Sequence, residues 1–344
     1  MASVLIFNNF LASGQKSVLE CQESEFNKYK SLGPGRWQAD PYSKKKHMTV
    51  GDATNRAISC FFLWVKSSRF DVLVIDSATT ALFLGIYRIF YAGNVKVLVS
   101  SFNAPRRRSG VWKWIAKVLF SKLDFIFVHS VEDIEIMKKL YGFGDNKIAF
   151  RPFVRSTPCV SHKVIDGLDE DIIEKPFILS MGSNGRDYET FFKAIADSGI
   201  TAVVVSRPYN VYNMSIPDNV VLLSGIKLDD CDYLSSKCLF TVFTFDGTEP
   251  SCGQISIVTS LMLGKPVICT DIDGVHDYIV NDYNGLLVNI FNADDLREKI
   301  LDLYNNCDLY SKLSDGAKLW ANDIGSEEAA RTLLDKTISK LVCQ

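Results

Sequence analysis

EPSCGQISIVTSLMLGKPVICT, from Glu249 to Thr270, is the stretch of sequence that decides the fold. It follows an apolar run, Leu239–Phe245, that is typical of a buried strand. A turn of small residues then leads into an amphipathic helical pattern that Gly264 ends, and Pro266 enters the next strand. Strand, turn, helix and strand in this order predict a βαβ unit of a parallel sheet.

Short β-rich runs alternate with helical patterns on both sides of this stretch, which is typical of parallel α/β sheets. The predicted strands of the first half are Ser3–Asn8, Asp71–Asp76, Lys96–Ser101, Asp124–His129 and Lys147–Arg151. Those of the second half are Phe177–Met181, Ala202–Ser206, Val220–Ser224, Cys238–Phe243, Pro266–Thr270 and Gly285–Val288. The predicted helices include Asp187–Ala196, Gln254–Leu263, Ala293–Asn305 and Ser326–Val342.

The length and the charge distribution indicate two domains. A chain of 344 residues exceeds one ordinary domain, and the polar segment Ser156–Lys175 has no clear period, which favours a linker. We predict domains at residues 1–160 and 175–322, with a C-terminal helix at 323–344 that packs back towards the first domain. Up to residue 165 there are 24 basic and 12 acidic residues, and beyond it 14 and 28. This asymmetry predicts an anionic partner for the first domain.

Several classes of protein are disfavoured by composition. Nine cysteines are scattered singly, without a CxxC pair or zinc-ligand spacing, which predicts reduced thiols in a cytoplasmic protein and no metal site. The first residues have no basic segment of a signal peptide. The apolar stretch Ala81–Gly93 is too short to span a membrane, so we expect it to form a buried helix. The basic half contains no nucleic-acid recognition motif.

The turn before the Gln254 helix can bind an anion. Free backbone N–H groups at a helix N-terminus favour a diphosphate, and Gly253 permits close approach because it has no Cβ atom. Ser251 and Gln254 can add side-chain donors. The alternative is that the turn serves only the crossover between two strands.

Four segments carry a resemblance to a known family. They are TSLMLGKPVICT, DIDGVHDYIVNDYNGLLV (Asp271–Val288), MGSNGRDYETFFKAI (Met181–Ile195) and NVVLLSGIKLDDCDYLSSKCLF (Asn219–Phe240). In order and spacing they resemble the donor-binding domain of the GT-B glycosyltransferases, in particular the family-four, or group-one, enzymes of bacterial surface polysaccharide synthesis. The resemblance implies an α/β GT-B fold, in which two Rossmann-like, doubly wound parallel-sheet domains face each other across a cleft.

The resemblance also implies roles for individual residues. The residues expected to bind the donor diphosphate and sugar are Gly182, Arg186, Arg207, Ser251, Cys252, Gly253 and Gln254. Those expected to bind the nucleoside are Gly225, Ile226 and Thr259. Thr259 and Ser251 stand where the family has two glutamates, so Glu249 is the candidate for the catalytic contact with the sugar hydroxyls.

In the first half, DVLVIDSATTAL (Asp71–Leu82) and KVLVSSFNAPRRR (Lys96–Arg108) resemble the family's second and third strands with their loops. Asp76, at the end of a strand, is our candidate for a catalytic base, and His129 is the alternative. A retaining enzyme needs no protein base at this position, because the departing phosphate can serve.

Basic and aromatic residues alternate after the third strand. Tryptophan with lysine and arginine on an amphipathic helix favours an anionic membrane surface, and the alternative is an ordinary core-facing helix. The candidate membrane or acceptor surface comprises Arg106, Arg107, Arg108, Trp112, Lys113, Trp114 and Lys117. The run Ser43–His47 could reinforce it.

These observations predict transfer of a hexose from a nucleotide-diphosphate sugar to a lipid-linked or glycan acceptor in surface polysaccharide synthesis. We expect no cofactor and no metal, and a cytoplasmic protein held peripherally at the inner face of the plasma membrane. Two alternatives stay open: a nucleotide-sugar epimerase on the same fold, and a non-catalytic partner subunit.

Overall fold

The computed structural model describes residues 2–7, 27–32, 50–90, 93–104, 110–161, 164–248 and 252–343. The chain divides into two compact units, Met1–Arg151 with Arg331–Gln344, and Pro152–Ala330. The predicted linker Ser156–Lys175 thus lies within the second unit. No helix among the described residues is long and apolar enough to cross a bilayer.

The first unit is built on a parallel sheet of six strands in the order β2-β1-β3-β4-β5-β6. The strands are β1 (Ala2–Phe7), β2 (Asn27–Leu32), β3 (Val72–Ile75), β4 (Lys96–Val99), β5 (Phe125–Val128) and β6 (Ile148–Phe150). The predicted strands are all found, but β2 was missed. Its sequence NKYKSL has two lysines and only two large apolar residues, so it lacks the apolar pattern of its neighbours.

Four helices cover one face of this sheet: α1 (Val50–Ser67), α2 (Ala78–Phe90), α3 (Gly110–Phe120) and α4 (Val131–Tyr141). The other face is covered by Arg331–Val342, the part of α11 (Glu327–Val342) that belongs to this unit. Asp335 is buried there and accepts hydrogen bonds from Asn27 Nδ2 and from the Tyr29 hydroxyl of β2. The expectation that Ala81–Gly93 forms a buried helix is wrong in part, because Ile86, Ile89 and Phe90 of α2 are exposed.

The second unit has a parallel sheet in the order β12-β11-β10-β7-β8-β9. Its strands are β7 (Ile178–Met181), β8 (Ala202–Val205), β9 (Val220–Leu223), β10 (Thr241–Phe243), β11 (Val267–Thr270) and β12 (Gly285–Val288). Its helices are α5 (Glu170–Glu174), α6 (Tyr188–Ile195), α7 (Leu228–Lys237), α8 (Gln254–Met262), α9 (Ala293–Asn305) and α10 (Cys307–Asp323). Apolar clusters fill both sides of the sheet, so this unit is doubly wound as predicted.

Candidate functional site

The strand order of the second unit locates a binding crevice. From β7 the chain proceeds outward through β8 and β9, and it then returns to place β10 on the opposite side of β7. The neighbours β7 and β10 therefore form a topological switch point, and ligands of open α/β sheets bind at the carboxyl ends of the strands there. The segments after these two strands, residues 182–187 and 244–253, contain most of the predicted diphosphate residues, and Gln254 begins the helix that follows.

Backbone hydrogen bonds join these two loops directly. Asp187 N donates to Thr244 O at 3.1 Å, and Asp246 N donates to Gly185 O at 3.0 Å. Asp187 also caps α6 by accepting a hydrogen bond from Thr190 N at 3.0 Å, as expected of an aspartate at a helix start. The Tyr188 hydroxyl donates to Gly182 O at 2.7 Å. The sequence Arg-Asp-Tyr thus fixes the loop that carries Arg186.

Arg186 is a buried cation whose N–H groups are incompletely paired. Only 9% of the residue is exposed, and neither Nε nor Nη1 has a hydrogen-bond partner in the described part of the chain. The guanidinium carbon lies 4.5 Å from the ring centroid of Phe245 and 5.1 Å from that of Phe243. Burial lowers the pKa of the guanidinium. Because desolvating an unpaired charge is costly, this position favours binding of an anion.

Two glycines leave room for the Arg186 guanidinium. A Cβ atom on Gly182 would lie 2.5 Å from Nε and Nη2 of Arg186. One on Gly253 would lie 2.5 Å from the ring of Phe245 and 3.1 Å from Nη1 of Arg186. Both glycines have positive φ angles, 126° and 83°, which other residues rarely adopt. These contacts bring Gly182, Arg186 and Gly253 together, and their binding of a diphosphate stays a prediction.

The N-terminus of α8 adds further donors beside the cation. Gly253 is its N-cap residue and makes no side-chain capping bond, so the first-turn N–H groups face away from the helix without an intrahelical acceptor. Gln254 Nε2 is buried without a hydrogen-bond partner in the described residues. A helix N-terminus, a buried guanidinium and an unpaired amide together suit a phosphate or diphosphate group.

The structure gives less detail about the other residues that are predicted to bind the donor. Glu249 and Ser251 lie outside the described residues. Cys252 is half-buried beside Gly253. Arg207 follows β8, is exposed, and precedes a short 3-10 helix, Pro208–Asn210.

The predicted nucleoside residues do not share one cavity. Gly225 and Ile226, in the loop after β9, line a cavity of about 580 Å³ together with residues 164–166. Thr259 does not line it. Thr259 is only 1% exposed. Its hydroxyl donates to Ile255 O at 2.7 Å and accepts a hydrogen bond from Arg155 Nη1 at 2.6 Å. Its contact with a nucleoside stays a prediction.

One buried ion pair of this unit could not be predicted from the sequence. Arg155 binds both carboxylate oxygens of Asp232 on α7, and Cys159 N donates to the same carboxylate at 3.0 Å. The two charged residues are 77 positions apart, and neither belongs to a repeating pattern. A strand-and-helix pattern reports local periodicity, and it contains no information about such a pairing.

In the first unit, Asp76 lies at the carboxyl end of β3, which pairs with β1 at the switch point of that sheet. The alternative base, His129, is buried between two partners. Its Nδ1 is 2.8 Å from Arg151 O, and its Nε2 is 2.8 Å from Ser101 Oγ. Burial lowers the pKa of His129 to about 4, so the ring is neutral at pH 7. This is the arrangement of a structural histidine.

The predicted membrane surface is only partly described. Trp112 and Trp114 of α3 are 68% and 65% exposed, and Lys117 is exposed while Lys113 is half-buried. Arg106, Arg107 and Arg108 lie outside the described residues, as does the run Ser43–His47. Among the residues that the structure describes, no group of histidine, cysteine, aspartate or glutamate side chains is arranged to hold a metal, and eight cysteines are free thiols.

Comparison with known proteins shows which families and structures this chain resembles. Residues 209–320 match the family model described as "Glycosyl transferases group 1". An uncharacterized glycosyltransferase of Methanocaldococcus jannaschii is 28% identical over 146 residues, which are 42% of this chain and 39% of the archaeal protein. The match therefore spans about two fifths of the length of that relative.

Two solved structures share the whole fold. HepE from Anabaena, in complex with UDP-glucose, is 12% identical with a TM-score of 0.70, covering 99% of this chain and 100% of that one. WaaG, a glycosyltransferase involved in lipopolysaccharide biosynthesis, is 14% identical with a TM-score of 0.59, covering 96% and 99%. The chain therefore has the GT-B fold of these glycosyltransferases, and its residues 209–320 match the group 1 glycosyl transferase family.

Proposed function

We propose that this enzyme transfers a hexose from a nucleotide-diphosphate sugar to a lipid-linked or glycan acceptor in surface polysaccharide synthesis. The observation that carries the proposal is the buried, incompletely paired guanidinium of Arg186 beside the N-terminus of α8. Two phosphate groups would supply the acceptor oxygens that Nε and Nη1 lack. The UDP-glucose bound to HepE supports a donor of this class, and the role of WaaG in lipopolysaccharide biosynthesis supports an acceptor of this kind.

Charge development explains how these residues would promote the reaction. Cleavage of the bond between the sugar and the diphosphate leaves additional negative charge on the leaving phosphate. Arg186 and the first-turn N–H groups of α8 would stabilise that charge without moving, because the two loops after β7 and β10 already hold them. Gln254 would donate its free amide hydrogens to the same group. In this proposal no metal and no cofactor takes part.

The remaining roles are those that the family resemblance implies. Glu249, two residues before Ser251 at the start of the α8 turn, would accept hydrogen bonds from the sugar hydroxyls. Gly225 and Ile226 would contact the base, and Arg207 would assist the diphosphate. In the first unit, Asp76 would remove the proton of the acceptor hydroxyl if the reaction inverts the anomeric centre. The enzyme would act in the cytoplasm at an anionic membrane surface, where a lipid-linked acceptor resides.

A thermal-shift panel of UDP-, GDP-, dTDP- and ADP-sugars tests the donor site. Ligand at one hundred times its Kd stabilises a protein by about 2.7 kcal/mol, which corresponds to a rise in Tm of roughly 5–10 °C. We expect one nucleotide to produce this rise in the wild type and in Arg69→Ala, an exposed arginine control. The rise should be absent in Arg186→Ala.

Two results would contradict the proposal. If no nucleotide sugar shifts the wild-type Tm, the crevice does not bind this class of donor. If the shift is the same in Arg186→Ala, the diphosphate binds elsewhere. Product analysis then separates the alternatives: a transferase releases nucleoside diphosphate when acceptor is added, whereas an epimerase converts the sugar without acceptor.

A further inference from the structure

The crevice of the second unit extends along the sheet beyond the residues described so far. The loop after β9 holds Gly225 and Ile226, and the segments after β7 and β10 hold Arg186 and Gly253. The next strand in the same direction is β11. Neighbouring strands are about 4.8 Å apart, so β11 ends roughly 5 Å beyond β10. If the base and the diphosphate of an extended nucleotide sugar lie at these positions, its sugar ring lies at the end of β11.

Asp271, the first residue after β11, stands in one row with Arg186. Arg186 pairs with Phe245 in an isolated antiparallel bridge. The register of β10 and β11, continued by two residues, places Phe245 beside Asp271. Phe245 N donates to Thr270 Oγ1 at 2.9 Å, so the two segments stay together beyond the paired strands. The backbones of Arg186 and Asp271 are therefore two strand spacings, or about 10 Å, apart.

The buried thiol of Cys269 indicates that both charged residues lie on the face of the sheet that α8 covers. Its side chain belongs to the same apolar cluster as Ile257 and Val258 of α8. Burial raises the pKa of the Cys269 thiol, the charge of Asp271 raises it further, and the charge of Arg186 lowers it. Asp271 and Arg186 are thus close to one sulfur atom, on the same face as the helix whose N-terminus adjoins the cation.

His276 is held against Asp271 by a turn that the core fixes. Its Nε2 is 2.8 Å from Asp271 Oδ1. Val275 and Tyr278 of the same turn are buried, and Tyr278 N donates to Val275 O at 2.9 Å. The side chains of His276 and Asp271 are 56% and 50% exposed. An exposed pair contributes little to stability because solvent screens it, whereas its exposure leaves polar atoms open to a ligand.

The chemistry of this pair suits a sugar. When Nε2 carries the proton that faces the carboxylate, Nδ1 on the other side of the His276 ring is a hydrogen-bond acceptor. The second oxygen of Asp271, Oδ2, is another acceptor. Hydroxyl groups on neighbouring carbon atoms of a hexose can donate to two acceptors placed side by side. The pair therefore matches a sugar that carries free, adjacent hydroxyl groups.

We infer that His276 and Asp271 bind the sugar ring of the donor, each accepting a hydrogen bond from one of two neighbouring hydroxyl groups. Arg186 and the N-terminus of α8 would hold the diphosphate, and the pair would set the orientation of the ring relative to it. This inference rests on the proposed function. It adds to the donor site two residues for which the family resemblance implied no role.

Isothermal titration calorimetry of the full chain tests the inference with two probes. They are the nucleotide hexose that the thermal-shift panel selects and the corresponding nucleoside diphosphate, which for uridine are UDP-glucose and UDP. We expect His276→Ala and Asp271→Ala each to weaken binding of the nucleotide hexose about three- to tenfold, the effect of one lost hydrogen bond. Binding of the nucleoside diphosphate should not change, because it lacks the sugar.

The matched control is Asp315→Ala/Lys318→Ala, an ion pair of similar exposure on α10. The Lys318 side chain adjoins Gly264, which precedes β11, so this pair lies at the opposite edge of the sheet. The control should bind both probes as the wild type does. If the wild type binds the nucleotide hexose, equal weakening of both probes in His276→Ala, or no change in either, would overturn the inference alone. A wild type that binds no nucleotide sugar would refute the proposed function, and the inference with it.

Discussion

Arg155 holds both oxygens of the Asp232 carboxylate, with Nη1 at 2.7 Å from Oδ1 and Nη2 at 2.6 Å from Oδ2. The Arg155 side chain is 12% exposed and that of Asp232 is 2% exposed. Nη1 also donates to the Thr259 hydroxyl. One guanidinium therefore joins the segment after β6 to α7 and α8, inside the unit that contains the crevice between β7 and β10.

Replacing one member of this ion pair should lower the free energy of unfolding far more than replacing both. Asp232→Leu leaves a buried, uncompensated guanidinium, and we expect a loss of about 3–5 kcal/mol in the free energy of unfolding. Arg155→Met/Asp232→Leu replaces the pair by apolar groups and should recover most of that loss. Urea denaturation of the two variants and of Arg155→Met measures the difference. Equal destabilisation by the single and the double variant would show that the pair does not act as a unit.

Arg186→Met should stabilise the enzyme in the absence of nucleotide. The substitution removes a buried cation with unpaired N–H groups and keeps an unbranched side chain against Phe243 and Phe245. We expect a gain of about 1–3 kcal/mol. The same variant should lose the nucleotide-induced rise in Tm. A lower Tm in buffer alone would mean that the guanidinium is satisfied without ligand.

Gly253→Ala should be more destabilising than Gly199→Ala, although both positions have a positive φ. At Gly253 the added Cβ would lie 2.5 Å from the Phe245 ring, whereas at Gly199 it would meet nothing within 4 Å. We expect about 1 kcal/mol of backbone strain at Gly199, and at least about 2 kcal/mol more at Gly253 for the clash. Calorimetry gives the stabilities. Similar Tm values for the two variants would show that the Phe245 ring moves aside freely.

His129 should make the first unit less stable as the pH falls. Burial lowers its pKa from 6.5 to about 4, so the unfolded chain binds the proton more readily than the folded one. Its contribution is complete above pH 6.5 and is lost as the pH falls towards 4, amounting to about 3 kcal/mol. The difference in unfolding free energy between the wild type and His129→Gln, followed from pH 7 to pH 4 by urea denaturation, isolates this effect. A difference that does not change with pH would contradict it.

Much of the fold was predictable because its pattern is local. Buried parallel strands such as β3 and β8 are continuous apolar runs, and their helices carry one apolar side. The family resemblance implies a diphosphate role for the Gly182–Arg186 loop, the helix N-terminus suggests one for the Gly253 turn, and both roles stay predictions. Strand β2 could not be predicted because its sequence NKYKSL contains two lysines and only two large apolar residues, so it lacks the apolar run of a buried strand.

The remainder depended on contacts that no local pattern specifies. Arg155 and Asp232 meet only after the second unit has folded, and Thr259 is thereby engaged by the protein itself. The apolar run of α2 predicted burial, but hydrophobicity alone does not say which faces of a helix its neighbours cover. Ile86, Ile89 and Phe90 are exposed because no described element packs over them.

The position of α11 has a consequence for biosynthesis. The residues that cover one face of the first sheet, Leu334, Ile338 and Leu341, are translated after the whole of the second unit. While the chain is growing, Val4, Val72 and Phe127 therefore stay open to water, whereas Pro152–Ala330 can complete its own core. The first unit to leave the ribosome is thus the last to finish folding, and it is the one that a chaperone would protect in the interval.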